Sequence, residues 1–163
     1  MVTICQRQLV EMNLENIKQA VSRVKRYHEQ LVVLCGDACS QQLVEFSSVE
    51  NLPMVNVGLE LAALLLEVPS VSRPKVAANI FEDLILQKKS ETVLLVHLEI
   101  LFDRSLSIDP LKLLKKCSKN ITLVVVWPGV RSGSSLIYAM PNHPEYRFYK
   151  ESDLVEIVFV EAN

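Results

Sequence analysis

The chain has 163 residues, half of them apolar and 22% charged, with a formal net charge of −2 and a mean hydropathy of +0.24. That length predicts a single domain over residues 1–163. The apolar content excludes an intrinsically disordered chain, and the near-balanced charge excludes a protein that coats nucleic acid through bulk charge.

The start, Met1 to Gln8, lacks a charged segment followed by an apolar one, so no secretory leader is expected. Leu14, Ile17, Val21, Val24 and His28 recur at steps of three and four. This predicts an amphipathic helix over about residues 7–29. Its apolar stripe covers the sheet in the simplest reading; the alternative is a face for a partner or for self-association. Leu31 to Cys35 is a short apolar run ending at Gly36, which reads as a strand buried on both faces. A weak helix over 38–48 and a strand over Met54 to Val57 follow. Residues 59–67 read as a core helix, because Val57 to Val68 is too short to span a membrane and is interrupted by Glu60 and Glu67.

Pro69 and Pro74 bracket a break before a helix over about 74–88. Thr92 to Val96 is a third strand. Asp109 and Pro110 cap and open a helix over 110–118, since aspartate accepts from first-turn amides and proline needs no donor there. Ile121 to Val126 is a fourth strand, ending in Trp127, Pro128 and Gly129. The tail is expected to carry turns over 128–144 and a last strand over Val155 to Val160. Helices alternating with short apolar strands predict an α/β protein in three layers, a mostly parallel sheet with helices on both faces.

Cys5, Cys35, Cys39 and Cys117 are too scattered for a disulfide framework, and His28, His97 and His143 show no metal-ligand spacing. No metal site and a reducing, cytoplasmic location are therefore expected.

Ligands of such sheets sit beyond the carboxyl ends of the strands, so the loop after the first strand is the first place to look. A phosphate-binding loop there reads G-x-x-x-x-G-K-[ST]. Gly36 fits, and Asp37, Ala38, Cys39 and Ser40 fill the variable places, but Gln41, Gln42 and Leu43 stand where glycine, lysine and a hydroxyl residue are needed. Glycine lets backbone amides approach the phosphates, lysine supplies charge to them, and the hydroxyl binds magnesium. All three are lost, and Asp37 adds repulsion. The third strand is followed by His97 and Glu99 rather than by a magnesium-binding aspartate; neutral imidazole is a poor ligand for that hard cation. Their simpler reading is structural, with Glu99 at a helix start.

Several blocks, read together, resemble a known family: Val55 to Leu61, Val93 to Asp103, Asp109 to Leu114, and above all Tyr138-Ala-Met-Pro-Asn-His-Pro-Glu-Tyr-Arg147 with Tyr149 and Asp153. Over roughly residues 30–160 the chain resembles the BrxF family, small P-loop-containing proteins of type 3 BREX (bacteriophage exclusion) defence systems. The resemblance implies a P-loop NTPase-like fold and partners such as a large ATPase, a DNA methyltransferase and a phosphatase-like protein. Typical members keep a working phosphate loop, from which this chain departs at Gln41, Gln42, Leu43 and His97.

The expected function is thus a non-catalytic accessory component of a defence complex, with no catalytic residue and no cofactor. One alternative is a divergent NTPase that binds ATP and magnesium with groups from a partner subunit. Another is DNA binding through Lys112, Lys115, Lys116 and Lys119, which fall on helical spacing. A solvated helix face is the simpler reading of those lysines. His143, Glu145, Tyr146 and Arg147, in a segment stiffened by Pro141 and Pro144, are a candidate recognition loop.

Overall fold

The computed structural model describes residues 4–161, and their side chains from residue 13 onward. The sequence expectations that touch Met1 to Thr3, Ala162 and Asn163 lie outside the described residues. Five parallel strands form the central sheet: β1 (Leu31–Cys35), β2 (Met54–Asn56), β3 (Thr92–Val96), β4 (Thr122–Val126) and β8 (Val158–Glu161), ordered β2-β3-β4-β1-β8. Helices cover both faces, as the alternation predicts. On one face, α1 (Ile4–Val24) and α2 (Cys39–Glu50) pack Ile17, Ala20, Val24, Leu43 and Phe46 against Val32, Leu34, Leu94 and Val124. The other face carries α3 (Val57–Leu66), α4 (Arg73–Leu86) and α5 (Pro110–Cys117), which bury Leu61, Phe81, Ile85 and Leu114 on Leu31, Val33, Leu95 and Val125. Successive residues of β1 feed opposite faces, which is why its sequence is apolar without alternation.

Three helix ends are fixed by side chains and a fourth by a backbone turn. The Asn56 amide oxygen accepts from Leu59 N at 3.1 Å, and the Asp109 carboxylate accepts from Lys112 N at 3.2 Å. Arg73 Nε donates to the Leu65 and Val68 carbonyls at 2.9 and 3.0 Å, closing the end of α3. At the end of α1, Tyr27 N turns back to Val24 O at 2.9 Å.

Three expectations need correction. The first helix ends at Val24 rather than near residue 29, and His28 is exposed instead of continuing the buried stripe. The stretch 128–144 is not only turns. It carries β5 (Val130–Ser132) and β6 (Ser135–Tyr138), which with β7 (Arg147–Tyr149) form an antiparallel sheet of their own, ordered β5-β6-β7. The β5–β6 connection is a two-residue hairpin, and Gly133 takes the positive φ of 57° its first central position requires. β8 also begins at Val158, three residues later than the apolar run suggests.

Trp127 joins the two sheets. It is 3% exposed, its indole N–H donates to Ile137 O at 2.9 Å, and its ring meets Phe102 and Tyr149 edge-on at 5.5 and 6.0 Å. Phe102 in turn stacks on Tyr138 at 3.7 Å. This aromatic group seats the small sheet against the α3–α5 face.

Candidate functional site at the carboxyl edge of the sheet

The chain leaves β1 towards the α1–α2 face and leaves β4, through Trp127, towards the opposite face. Adjacent strands whose connections diverge open a crevice at their carboxyl ends. A cavity of about 420 Å³ lies there. Cys35, Gly36, Asp37 and Ser40 line it from β1 and α2, and His97 and Glu99 from the end of β3. Trp127, Val130 and Arg131 close it from β4 and the hairpin, and Glu161 from β8.

The parallel register explains this convergence. Cys35 pairs with Glu161 and Leu34 with Val126, so the ends of β1, β4 and β8 stand level. His97 occupies the left-handed region (φ 57°, ψ 61°), which turns the chain sharply out of β3, and Gly58 lies against it, where a Cβ would be 3.4 Å from the His97 carbonyl oxygen.

Residues 36–43 do not make a phosphate cradle. Only Gly36, Asp37 and Ala38 separate β1 from α2, and Cys39 to Leu43 already belong to the helix. Gly36, with φ 123°, supplies the one conformation that favours glycine in this turn. Gln42 is 6% exposed and Leu43 fully buried, so the places of the lysine and hydroxyl point into the core and not into the crevice. Gln41 is exposed but does not line the cavity.

Gln42 Oε1 is buried without a hydrogen-bond partner among the described residues. Replacing it with an apolar side chain of similar shape removes that desolvation cost. Gln42→Met is therefore expected to stabilise the protein by about 1 kcal/mol, measured as a rise in the urea midpoint with unchanged slope.

The electrostatics of the crevice are acidic. Asp37, Glu99 and Glu161 face one guanidinium, Arg131, whose Nη1 pairs with Glu161 Oε1 at 3.5 Å and whose charge lies 4.0 Å over the Phe159 ring. Burial, with smaller contributions from Cys39 and Glu161 and opposed by Arg131, pushes the Cys35 thiol up to about 12. Cys35 is a protonated thiol at neutral pH and not a nucleophile. Burial, followed by Glu145 and Glu99, also raises the Tyr138 hydroxyl. Among the described residues, no three His, Cys, Asp or Glu side chains converge to hold a metal ion.

The other candidate residues lie away from this crevice. Lys115 is half-buried, pairs with Glu29 at 3.4 Å and donates to Asp153 O at 3.1 Å, and Lys116 pairs with Glu82 at 2.8 Å, which raises its pKa through that hydrogen bond. Lys112 and Lys119 are exposed, so the four lysines do not act as one free basic stripe. In the 141–147 segment, Arg147 Nη2 donates to Ile108 O at 3.1 Å, and His143 Nδ1 accepts from Glu145 N at 3.1 Å. Tyr146 is half-buried. Tyr149 Oη donates to Asp109 Oδ1 at 3.1 Å, tying β7 to the start of α5.

No family model, curated protein or solved structure matches the chain. Sequence reasoning picked out Gly36, Asp37, Ser40, His97 and Glu99, and all five line one cavity. It missed Arg131 and Glu161. The signal for Glu161 was positional, since a last strand paired to β1 must end beside Cys35. No described helix is long and apolar enough to cross a membrane.

Proposed function

We propose that this is a P-loop-like α/β protein that has no phosphoryl-transfer chemistry and works as an accessory, partner-binding component. One observation carries the reading: the β1–α2 turn is three residues long, and Gln42 and Leu43 lie on the buried face of α2. A triphosphate needs a wrapped loop of backbone amides and a cation aimed at it, whereas this crevice offers Asp37, Glu99 and Glu161. The P-loop kinship is supported by the parallel sheet in which β4 alone separates β1 from β3, so that the turn after β1 and the end of β3 reach the same cavity.

The setting in a cytoplasmic, BREX-type defence complex, with an ATPase, a methyltransferase and a phosphatase-like protein as partners, rests on the resemblance of the sequence blocks. Calorimetry with Mg-ATP, repeated after co-expression with the proteins encoded beside it, tests the whole reading. No heat and no turnover are expected from the isolated protein, and a stable complex is expected on co-expression. Micromolar Mg-ATP binding with hydrolysis by the isolated chain would overturn the non-catalytic role. Activity that arises only in the complex and is lost in Glu99→Ala would favour an NTPase completed by a partner.

A further inference from the structure

We propose that β8 is a docking edge for a second copy of this chain. The two β8 strands pair antiparallel about a two-fold axis at Val160, so that the two central sheets run on into one. The hydrogen-bonding pattern fixes which backbone groups are on offer. Leu123 N donates to Gln30 O and Trp127 N to Leu34 O, so the even-numbered residues of β1 turn to β4 and the odd-numbered ones to β8. Val33 stands level with Phe159 and Cys35 with Glu161. A residue in a parallel pair bonds the two neighbours of its partner. Val158 and Val160 therefore face β1, and the N–H and C=O groups of Phe159 and Glu161 face outward. Among the described residues nothing pairs with that edge.

The other edge of the sheet is guarded. β2 has only three residues, and Asn56 N donates to Glu60 Oε2 at 2.9 Å while Lys88 Nζ holds Glu60 Oε1 at 3.2 Å. An edge without such a guard is a template for another strand. β8 also borders a groove of about 320 Å³, lined from α1 by Asn16, Gln19 and Arg23.

Charge on both faces of the sheet selects a second copy as the occupant. Pairing centred on Val160 sets Phe159 directly opposite Glu161 of the second copy, with Cβ atoms about 5 Å apart. Arg131 already lies 4.0 Å over the Phe159 ring and 3.5 Å from its own Glu161, so the pairing brings it another carboxylate. On the opposite face α1 packs over β1 and β8. The strand spacing of about 4.8 Å then sets the two copies of α1 roughly 10 Å apart, the separation of packed helices. They run antiparallel, and a match centred on Gln19 puts Arg23 against Glu15 of the second copy while keeping the two Arg23 side chains apart. Glu15, Gln19 and Arg23 are all exposed. Contacts that match in charge when the surface meets itself are the requirement of a two-fold interface.

Sedimentation equilibrium of the full chain, with hydrogen exchange followed at Phe159 and Glu161, tests the proposal. A dimer of micromolar Kd is expected, with both amides exchanging more slowly as the protein concentration rises. Glu161→Pro removes an outward N–H and a carboxylate but no backbone bond to β1, and Arg23→Glu sets like charges against Glu15. Each is expected to weaken the dimer about tenfold. Both positions are exposed, and an unchanged circular dichroism spectrum shows that the protomer is intact. Gln19→Cys is expected to give a cross-linked dimer on mild oxidation, and Leu59→Cys, exposed on α3, is expected to give none. A chain that stays monomeric at millimolar concentration, or a dimer that ignores both Glu161→Pro and Arg23→Glu, would overturn the proposal. So would a monomer whose Phe159 and Glu161 amides slow only when a different, co-expressed protein is bound, which would assign the edge to that protein. No nucleotide enters these measurements, so each result leaves the non-catalytic reading where it stands.

Discussion

Trp127→Ala is expected to cost about 3–5 kcal/mol of stability, the range for removing a large buried aromatic side chain. Trp127 is 3% exposed and makes edge-on contacts with both Phe102 and Tyr149, so its removal leaves a void between the two sheets that backbone on either side cannot close. The substitution also strips the Ile137 carbonyl of its indole donor. Trp127→Phe separates the two effects: it keeps most of the ring and loses the hydrogen bond, for an expected cost of about 1–2 kcal/mol. Urea unfolding followed by circular dichroism measures both. A cost below about 1 kcal/mol for Trp127→Ala would mean that the small sheet is held by something other than this residue.

Gly129→Ala is expected to be similarly severe, at about 3 kcal/mol, for a different reason. A Cβ at this position would lie 1.9 Å from Ile137 O and 2.9 Å from Ile137 C and Tyr138 Cα. All three are backbone atoms, so no side chain can swing away, and β5 must separate from β6. The control is Gly133→Ala at the hairpin tip. There a Cβ meets nothing within 4 Å and the only penalty is the positive φ of 57°, for an expected cost of about 1 kcal/mol. Comparable losses in the two variants would contradict the close approach at Gly129. Val130 and Arg131 form one wall of the crevice, so Gly129→Ala is also expected to open it.

The central sheet was legible because parallel strands covered on both faces must be apolar at every position. Leu31 to Cys35, Thr92 to Val96 and Ile121 to Val126 are such runs, and they correspond to β1, β3 and β4 to within a residue. The small sheet was hidden by the opposite circumstance. β5 is exposed at all three residues, so it carries no apolar signature, and only the two-residue Gly133-Ser134 connection marked a hairpin.

The overlong first helix came from reading His28 as part of a buried stripe, when a polar residue at the right spacing fits a turn equally well. The half of the site that lies on the turn after β1 and the end of β3 was readable from strand ends alone. Arg131 was not, because its position depends on a hairpin the sequence barely announces. The core orientation of Gln42 and Leu43 depends on where α2 begins, and boundaries are fixed by packing more than by local sequence.

The most direct test of the account is a titration of the ¹⁵N-labelled protein with Mg-ATP, following the backbone amides of residues 36–43. A wrapped phosphate loop would move these signals together, because its amides donate to the phosphates. The account predicts that they stay in place at millimolar nucleotide, with the Leu43 amide still protected from hydrogen exchange within α2. A saturable, concerted shift of Gly36 to Leu43 would show that the turn opens to grip a triphosphate, and would contradict it.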